Sequence, residues 1–243
     1  MNNYKLKYFL FNSNCLLINW PEEIDEKINN DVNDFRNVIE SNFNNISEVR
    51  SSYCSLLLIF EKKIKNIVEL ENKLDELYDS RMTLDKKDRF LWHIPVCYDK
   101  TYALDIDFVA MQNKIHTKEI IEKHCQQIYT VYLIGFLPGF LYLGSLDKML
   151  HIPRKKEPRL RVPKGAVAIA NEQTGIYPQE SPGGWNILGN TPICLFDKLK
   201  NKPCFARSGD KIQFFQITKD EYKVIEKQVE LGIYRINKKT IND

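Results

Sequence analysis

Thr130-Val-Tyr-Leu-Ile-Gly-Phe-Leu-Pro-Gly139 reads as a short strand of β-branched, aromatic and aliphatic residues running into a Gly/Pro turn. The same grammar recurs downstream. Ala166-Val-Ala-Ile-Ala170, Trp185-Asn-Ile-Leu188, Ile193-Cys-Leu-Phe196 and Lys211-Ile-Gln-Phe-Phe215 are apolar runs separated by turn residues. Many short strands with frequent turns indicate a β-barrel or a sandwich. Eight of the ten glycines fall between Gly135 and Gly189, and none precedes Gly135. Glycine is needed where the backbone takes positive φ or approaches another group closely. The segment is therefore expected to build loop surface and to carry most of any active site.

Upstream, Phe90-Leu-Trp-His-Ile-Pro-Val-Cys97 alternates as a strand, and Asp105–Asn113 and Thr117–Cys125 read as two short helices with Thr117 as an N-cap. Residues 219–228 predict a final helix. The first part of the chain has a different pattern. Tyr8–Phe11 and Cys15–Trp20 read as strands, and Pro21 then opens a helix with Glu22 and Glu23 in its first turn. Ile24, Ile28, Val32, Phe35, Val38 and Ile39 make its apolar stripe. Strand Ser55–Phe60 and a helix carrying Ile67, Leu70, Leu74 and Leu77 follow. The order β-β-α-β-α predicts a small α/β sandwich. The charged stretch Ser80–Arg89 is the expected linker, which puts the domain boundaries at 1–88 and 89–243.

The composition is that of a globular protein: 43% apolar and 28% charged residues over 243 positions. A net charge of +3 is too mild to suggest nucleic acid as the main partner. No apolar run reaches membrane-spanning length and no cleavable leader is recognised, so a cytoplasmic location is expected, with no membrane partner. Six cysteines without a CxxC pair read as buried thiols, and no metal site is visible. P-loop, GxGxxG, HExxH and GxSxG motifs are all absent.

Candidate chemistry must then come from the glycine-rich segment. Arg154-Lys-Lys-Glu-Pro-Arg-Leu-Arg-Val-Pro-Lys164 holds six cations against one carboxylate. In an extended chain Arg159 and Arg161 share one face, suited to a carboxylate or phosphate, while Leu160 and Val162 would face the core. A solvated edge strand protected by charge is the alternative. In Gln173-Thr-Gly-Ile-Tyr-Pro-Gln-Glu-Ser-Pro-Gly-Gly-Trp185, Gln173, Tyr177, Glu180 and Ser181 could converge on a pocket walled by Trp185. Glu180 is the candidate acid–base group, or else a cap on turn N–H groups. Ser181 has no base beside it in any visible motif. Of the histidines, His93 reads as structural, His116 as exposed and His124 as a buried helix-end residue. His151, beside the basic run with Arg154, Arg159, Arg161 and Lys164, is the one expected to face a ligand.

These residues carry a resemblance. Tyr132-Leu-Ile-Gly-Phe-Leu-Pro-Gly-Phe-Leu-Tyr-Leu-Gly144, His151-Ile-Pro-Arg154, Pro158-Arg-Leu-Arg-Val-Pro163, Gln173-Thr-Gly-Ile-Tyr-Pro178 and Glu180-Ser-Pro-Gly-Gly-Trp185 are similar, in order, to the signature of the family of the 5-oxoprolinase B-subunit (PxpB), KipI and allophanate hydrolase subunit 1. Asn190-Thr-Pro192 and Leu195-Phe-Asp197 continue it. The resemblance implies an α+β protein, a small N-terminal α/β domain followed by a cyclophilin-like β-barrel domain. It implies a non-autonomous enzyme component, working with a C-subunit homologue (PxpC/KipA-like) and an A-subunit homologue (PxpA-like). That complex would cleave the lactam 5-oxoproline to glutamate with ATP as co-substrate. Glu180 and His151 are the catalytic candidates it leaves. Arg154, Arg159, Arg161, Lys164, Gln173 and Tyr177 are the candidates for binding substrate and phosphate. A KipI-like histidine-kinase inhibitor and a biotin-dependent urea or amide carboxyltransferase component are the alternatives. The chain departs from the family pattern at Asn171-Glu172, where glycines are usual, and at Leu137, Leu141 and Ser145.

Overall fold

The computed structural model describes residues 4–80 and 88–241, and the chain falls into two compact units, Met1–Lys87 and Asp88–Asp243. Most of the expected linker, residues 81–87, lies outside the described residues.

In the first unit, β1 (Lys7–Asn12), β2 (Cys15–Asn19), β4 (Ser55–Phe60) and β3 (Ile46–Ser51) form an antiparallel sheet in the order β1-β2-β4-β3. Helices α1 (Glu26–Asn42) and α2 (Ile67–Ser80) bury Ile28, Val32, Phe35, Ile39 and Leu74 together with Leu16, Ile18, Leu56 and Leu58 of the sheet. Two local expectations need correcting. Pro21 does not open α1; Asp25 caps it, its carboxylate accepting from the N–H groups of Lys27 and Ile28, and Ile24 is exposed. An Asp placed to satisfy two orphan amides outcompetes a proline that satisfies none. Edge strand β3, Ile-Ser-Glu-Val-Arg-Ser, has too little apolar alternation to be read from sequence.

The second unit is a closed barrel. Strands β5 (Arg89–Cys97), β6 (Ile128–Ile134), β7 (Leu141–Gly144), β9 (Ala166–Ala170), β10 (Gln173–Ile176), β12 (Asn186–Asn190) and β13 (Lys211–Ile217) follow the order β12-β9-β10-β7-β6-β13-β5. The circle closes where Asn190 of β12 meets Cys97 of β5, and β14 (Asn237–Ile241) pairs with the other end of β5. Among the described residues of this unit only the β5–β13 pair is parallel. Helices α3 (Ile106–Asn113), α4 (Thr117–Gln126) and α5 (Lys219–Glu230) complete the unit. His116, not Thr117, is the N-cap residue of α4. Ile193–Phe196 is not a strand: Ile193 and Leu195 are buried in the barrel core, and Phe196 keeps one isolated bridge to Cys204.

Alternation along β9 divides the interior. Val167 and Ile169 point into the main core with Ile94, Val96, Val131, Leu143 and Phe214. Ala166, Ala168 and Ala170 point the other way, into a second cluster with Phe140, Val162, Tyr177, Trp185 and Ile187. Alanine's small side chain leaves room on that face for large rings. The five-residue run Ala-Val-Ala-Ile-Ala thus sets both the barrel core and the floor of an aromatic pocket.

Candidate functional site

Phe140 is the hub of that pocket. Its ring lies 4.6 Å from Tyr142, 4.9 Å from Tyr177 and 5.6 Å from Trp185, the last two edge-to-face, with Phe136 edge-on at 6.1 Å. Edge-to-face pairs align positive ring edges with negative faces and hold their geometry. Two glycines let the rings come together. A Cβ on Gly175 would sit 2.8 Å from Trp185 Cζ3 and 2.8 Å from the Leu141 carbonyl oxygen, and one on Gly183 would overlap the Tyr177 hydroxyl. The resulting cavity of about 470 Å³ is lined by these rings together with Arg154, Pro158, Ala170, Asn171, Gln173, Pro182 and Gly184. Its size is that of a small-molecule site.

A ribbon of two strands, β8 (Arg159–Val162) and β11 (Ser181–Gly183), stands at its edge. The loop before β8 is tied to the pocket by the Lys155 N–H, which donates to the Gly184 carbonyl at 2.7 Å. Arg154 extends over Gly184, 3.8 Å from where a Cβ would stand, and has no ion pair among the described residues. Burial raises the phenols of Tyr142 and Tyr177 above their ordinary value, partly offset by the Arg154 charge. Both stay protonated at neutral pH and can donate hydrogen bonds.

Of the residues expected from the sequence, Arg154, Gln173, Tyr177 and the expected wall Trp185 meet in this pocket. The others are placed elsewhere. Arg159 makes two hydrogen bonds, 2.8 and 2.7 Å, to the carboxylate of Asp105, which also receives Lys155 at 2.8 Å and the Ile187 N–H at 2.8 Å. Burial alone would raise the Asp105 pKa, but these donors hold it below its ordinary value. The expected paired face of Arg159 and Arg161 is therefore not formed. Arg159 turns inward to Asp105, while Arg161 points to solvent, its Nε 3.7 Å from Glu180. Leu160 is 86% exposed rather than facing the core while Val162 is buried, because β8 spends three steps from Arg159 to Val162 against two on β11, and this bulge breaks the alternation that would put both on one face. Glu180 and Lys164 are exposed beside it, and Ser181 donates its hydroxyl hydrogen bond to the Pro182 carbonyl. His151 does not line the pocket; its Nε2 lies 3.0 Å from the Leu146 carbonyl oxygen.

Sequence reasoning missed Phe136, Phe140, Tyr142 and Asn171 as lining residues, although the first three lie in the Gly/Pro-rich stretch that opens the barrel signature. It also missed Asp105. Its only signal was a helix-start position, and nothing local announces a partner 54 residues away.

A family model described as "Carboxyltransferase domain, subdomain C and D" matches residues 6–206. This chain belongs to the carboxyltransferase subdomain C and D family. Relatives within it include the 5-oxoprolinase B-subunit of Bacillus subtilis, 32% identical over 231 residues that cover 88% of this chain and 94% of that protein. The corresponding Escherichia coli O157:H7 protein is 37% identical over 183 residues, covering 74% and 79%. Among solved structures, the urea amidolyase of Kluyveromyces lactis shares the fold, with a TM-score of 0.80 at 23% identity over 98% of this chain. Solved relatives can be much longer. The chain spans 16% of that amidolyase and 40% of TTHA0988, which it matches with a TM-score of 0.73 at 29% identity over 88% of its own length.

Two of this family member's departures from the glycine pattern have a backbone consequence. Asn171 and Ser145 have φ of 51° and 73°, the left-handed region where glycine is the relaxed choice. Asn tolerates it better than Ser. Leu141 is not at a turn; it opens β7 and is fully buried in the barrel core.

Proposed function

We propose that this chain is the B-subunit of an ATP-dependent 5-oxoprolinase, a non-autonomous hydrolase component acting in the cytoplasm with homologues of the A- and C-subunits. The observation that carries the reading is the match to a 5-oxoprolinase B-subunit along 94% of that protein's length. The aromatic pocket with Arg154 at its rim gives it a chemical shape. A lactam is a poor electrophile. Transfer of the γ-phosphoryl group to the lactam oxygen forms an O–P bond as the terminal P–O bond of ATP breaks and ADP departs. The activated carbon then accepts water and the ring C–N bond opens, leaving a free amine and an acyl phosphate; a second water cleaves that acyl phosphate to the carboxylate and inorganic phosphate. Charge on the migrating phosphoryl group needs cations. In this reading Arg161 and Lys164, exposed on and beside the ribbon with Glu180, supply this chain's half of the phosphoryl site, and the C-subunit homologue supplies the rest. Arg159 holds the ribbon in place through Asp105.

The test is reconstitution. The chain, mixed with its A- and C-subunit homologues, 5-oxoproline and ATP, is expected to form glutamate only when all components are present. Glutamate formation that proceeds equally without this chain, or its absence from the complete mixture, would overturn the proposal.

A further inference from the structure

The pocket lining distinguishes between the two small molecules that the proposed reaction uses. Resting on the 5-oxoprolinase reading, the question is which of them this chain holds. Among its lining residues only Arg154 carries a formal charge; no Asp, Glu or Lys joins it. The polar groups are the side-chain amides of Asn171 and Gln173 and the protonated phenols of Tyr142 and Tyr177. The walls are the flat rings of Phe140, Tyr177 and Trp185, fixed at close centroid distances. Such a slot suits a small flat ring that bears one carboxylate and a neutral amide.

We infer that this pocket binds the lactam, its carboxylate on Arg154 and its amide edge toward Gln173 and Asn171, and that the triphosphate of ATP binds elsewhere in the complex. A single guanidinium matches a carboxylate in a bidentate geometry. A triphosphate is held in other proteins by a backbone cradle, a lysine and a metal ion, whereas the lining offers one guanidinium, no lysine and no carboxylate to hold a metal ion. The same charge count discriminates against the opened product. Glutamate adds an ammonium group and a second carboxylate, and no acidic residue in the lining can pair the ammonium. Proline, with the same ring but a charged ring nitrogen, meets the same lack. An ionised group taken from water without a partner costs more than its ring contacts return. The pocket therefore takes up the closed, singly charged lactam and lets the opened amino acid go.

The full chain is titrated by calorimetry with L-5-oxoproline, L-proline, L-glutamate and ATP, with and without Mg²⁺. 5-Oxoproline is expected to bind about tenfold or more tightly than proline or glutamate, with ATP neither binding the pocket nor displacing the lactam. Arg154→Gln weakens 5-oxoproline binding about tenfold or more, and Arg154→Lys less, since it keeps the charge and loses the fork. Arg154 is exposed, so unchanged thermal unfolding of these variants is the control. In the reconstituted complex Arg154→Gln raises KM for 5-oxoproline and leaves KM for ATP unchanged. If the isolated chain takes up no 5-oxoproline, this KM split decides. Equal binding of proline, displacement by ATP, or a KM for 5-oxoproline that Arg154→Gln does not move would each overturn the inference. A complex that never turns over ATP would sink the oxoprolinase reading alone, because the ligand preference of the free chain is measured independently.

Discussion

Asp105 and Arg159 meet through two parallel hydrogen bonds, 2.8 and 2.7 Å, with the carboxylate 4% exposed. Asp105 stands at the N-terminal end of α3, Arg159 opens the ribbon strand β8, and the Ile187 N–H of β12 donates to the same carboxylate. One buried charge thus fastens a helix, the barrel wall and the ribbon that edges the pocket. Removing one partner of a buried ion pair leaves the other uncompensated.

Asp105→Ala is therefore expected to cost about 3 kcal/mol of stability or more, since it abandons Arg159 and Lys155 together. Urea unfolding at pH 7 checks it. A loss below about 1 kcal/mol would mean that this network behaves like a surface pair.

Arg159→Ala and Arg161→Ala should separate folding from function. The first is expected to lower stability by about 2–3 kcal/mol. The second, with its side chain 82% exposed beside a Glu180 that is 60% exposed, is expected to change stability by less than about 0.5 kcal/mol. Loss of turnover in the Arg161→Ala complex would then report on the site itself. Wild-type turnover there would remove Arg161 from the phosphoryl site.

His124 is wholly buried, its Nε2 donating to the Thr174 hydroxyl at 2.9 Å and its Nδ1 accepting from Tyr98 at 2.7 Å, with its ring stacked on Phe214 at 4.6 Å. Thr174 passes its own proton to the Ala168 carbonyl, which fixes this tautomer. Burial lowers the pKa from 6.5 to about 3. The unfolded chain therefore binds a proton below pH 6.5 that the folded chain refuses, so stability present above 6.5 is lost as pH falls toward 3. The expected slope is about 1.4 kcal/mol per pH unit, or about 2 kcal/mol between pH 6.5 and 5. Urea unfolding across that window should show it, and His124→Gln should flatten it. An unchanged slope in the variant would assign the effect to another group.

Ser145 is exposed with φ of 73°. A left-handed backbone costs a non-glycine residue about 1–2 kcal/mol, whereas glycine adds about 0.4–1 kcal/mol of unfolded-state entropy. The first term is larger. Ser145→Gly is expected to stabilise by about 0.5–1 kcal/mol, read as a raised unfolding midpoint at constant slope.

Gly175→Ala tests the opposite case. Its Cβ would meet the Leu141 carbonyl oxygen and Trp185 at 2.8 Å, and a strand backbone cannot step aside. Overpacking of this kind costs about 1–3 kcal/mol, and the displaced Trp185 should alter the fluorescence change on ligand binding. A fully stable variant with an unperturbed tryptophan signal would show that the wall is softer than its geometry implies.

Much of this was legible in the primary sequence, because the responsible forces are local. Alternation in Ala166–Ala170 and Lys211–Phe215 marks barrel strands, and apolar periodicity across Ile28–Ile39 marks a helix packed on a sheet. Gln173, Tyr177 and Arg154 could be singled out because their motifs concentrate glycines and polar groups in a few short segments. Tertiary structure alone decided what those groups face. The clustered glycines Gly175 and Gly183 belong to strands that must approach aromatic rings, a fact about neighbours distant in sequence. The basic run is divided between Arg154 at the pocket, Arg159 buried on Asp105 and Arg161 in solvent. Residue type sets the charge of a side chain, but only the partner that the fold brings to it decides whether that charge serves stability or a ligand.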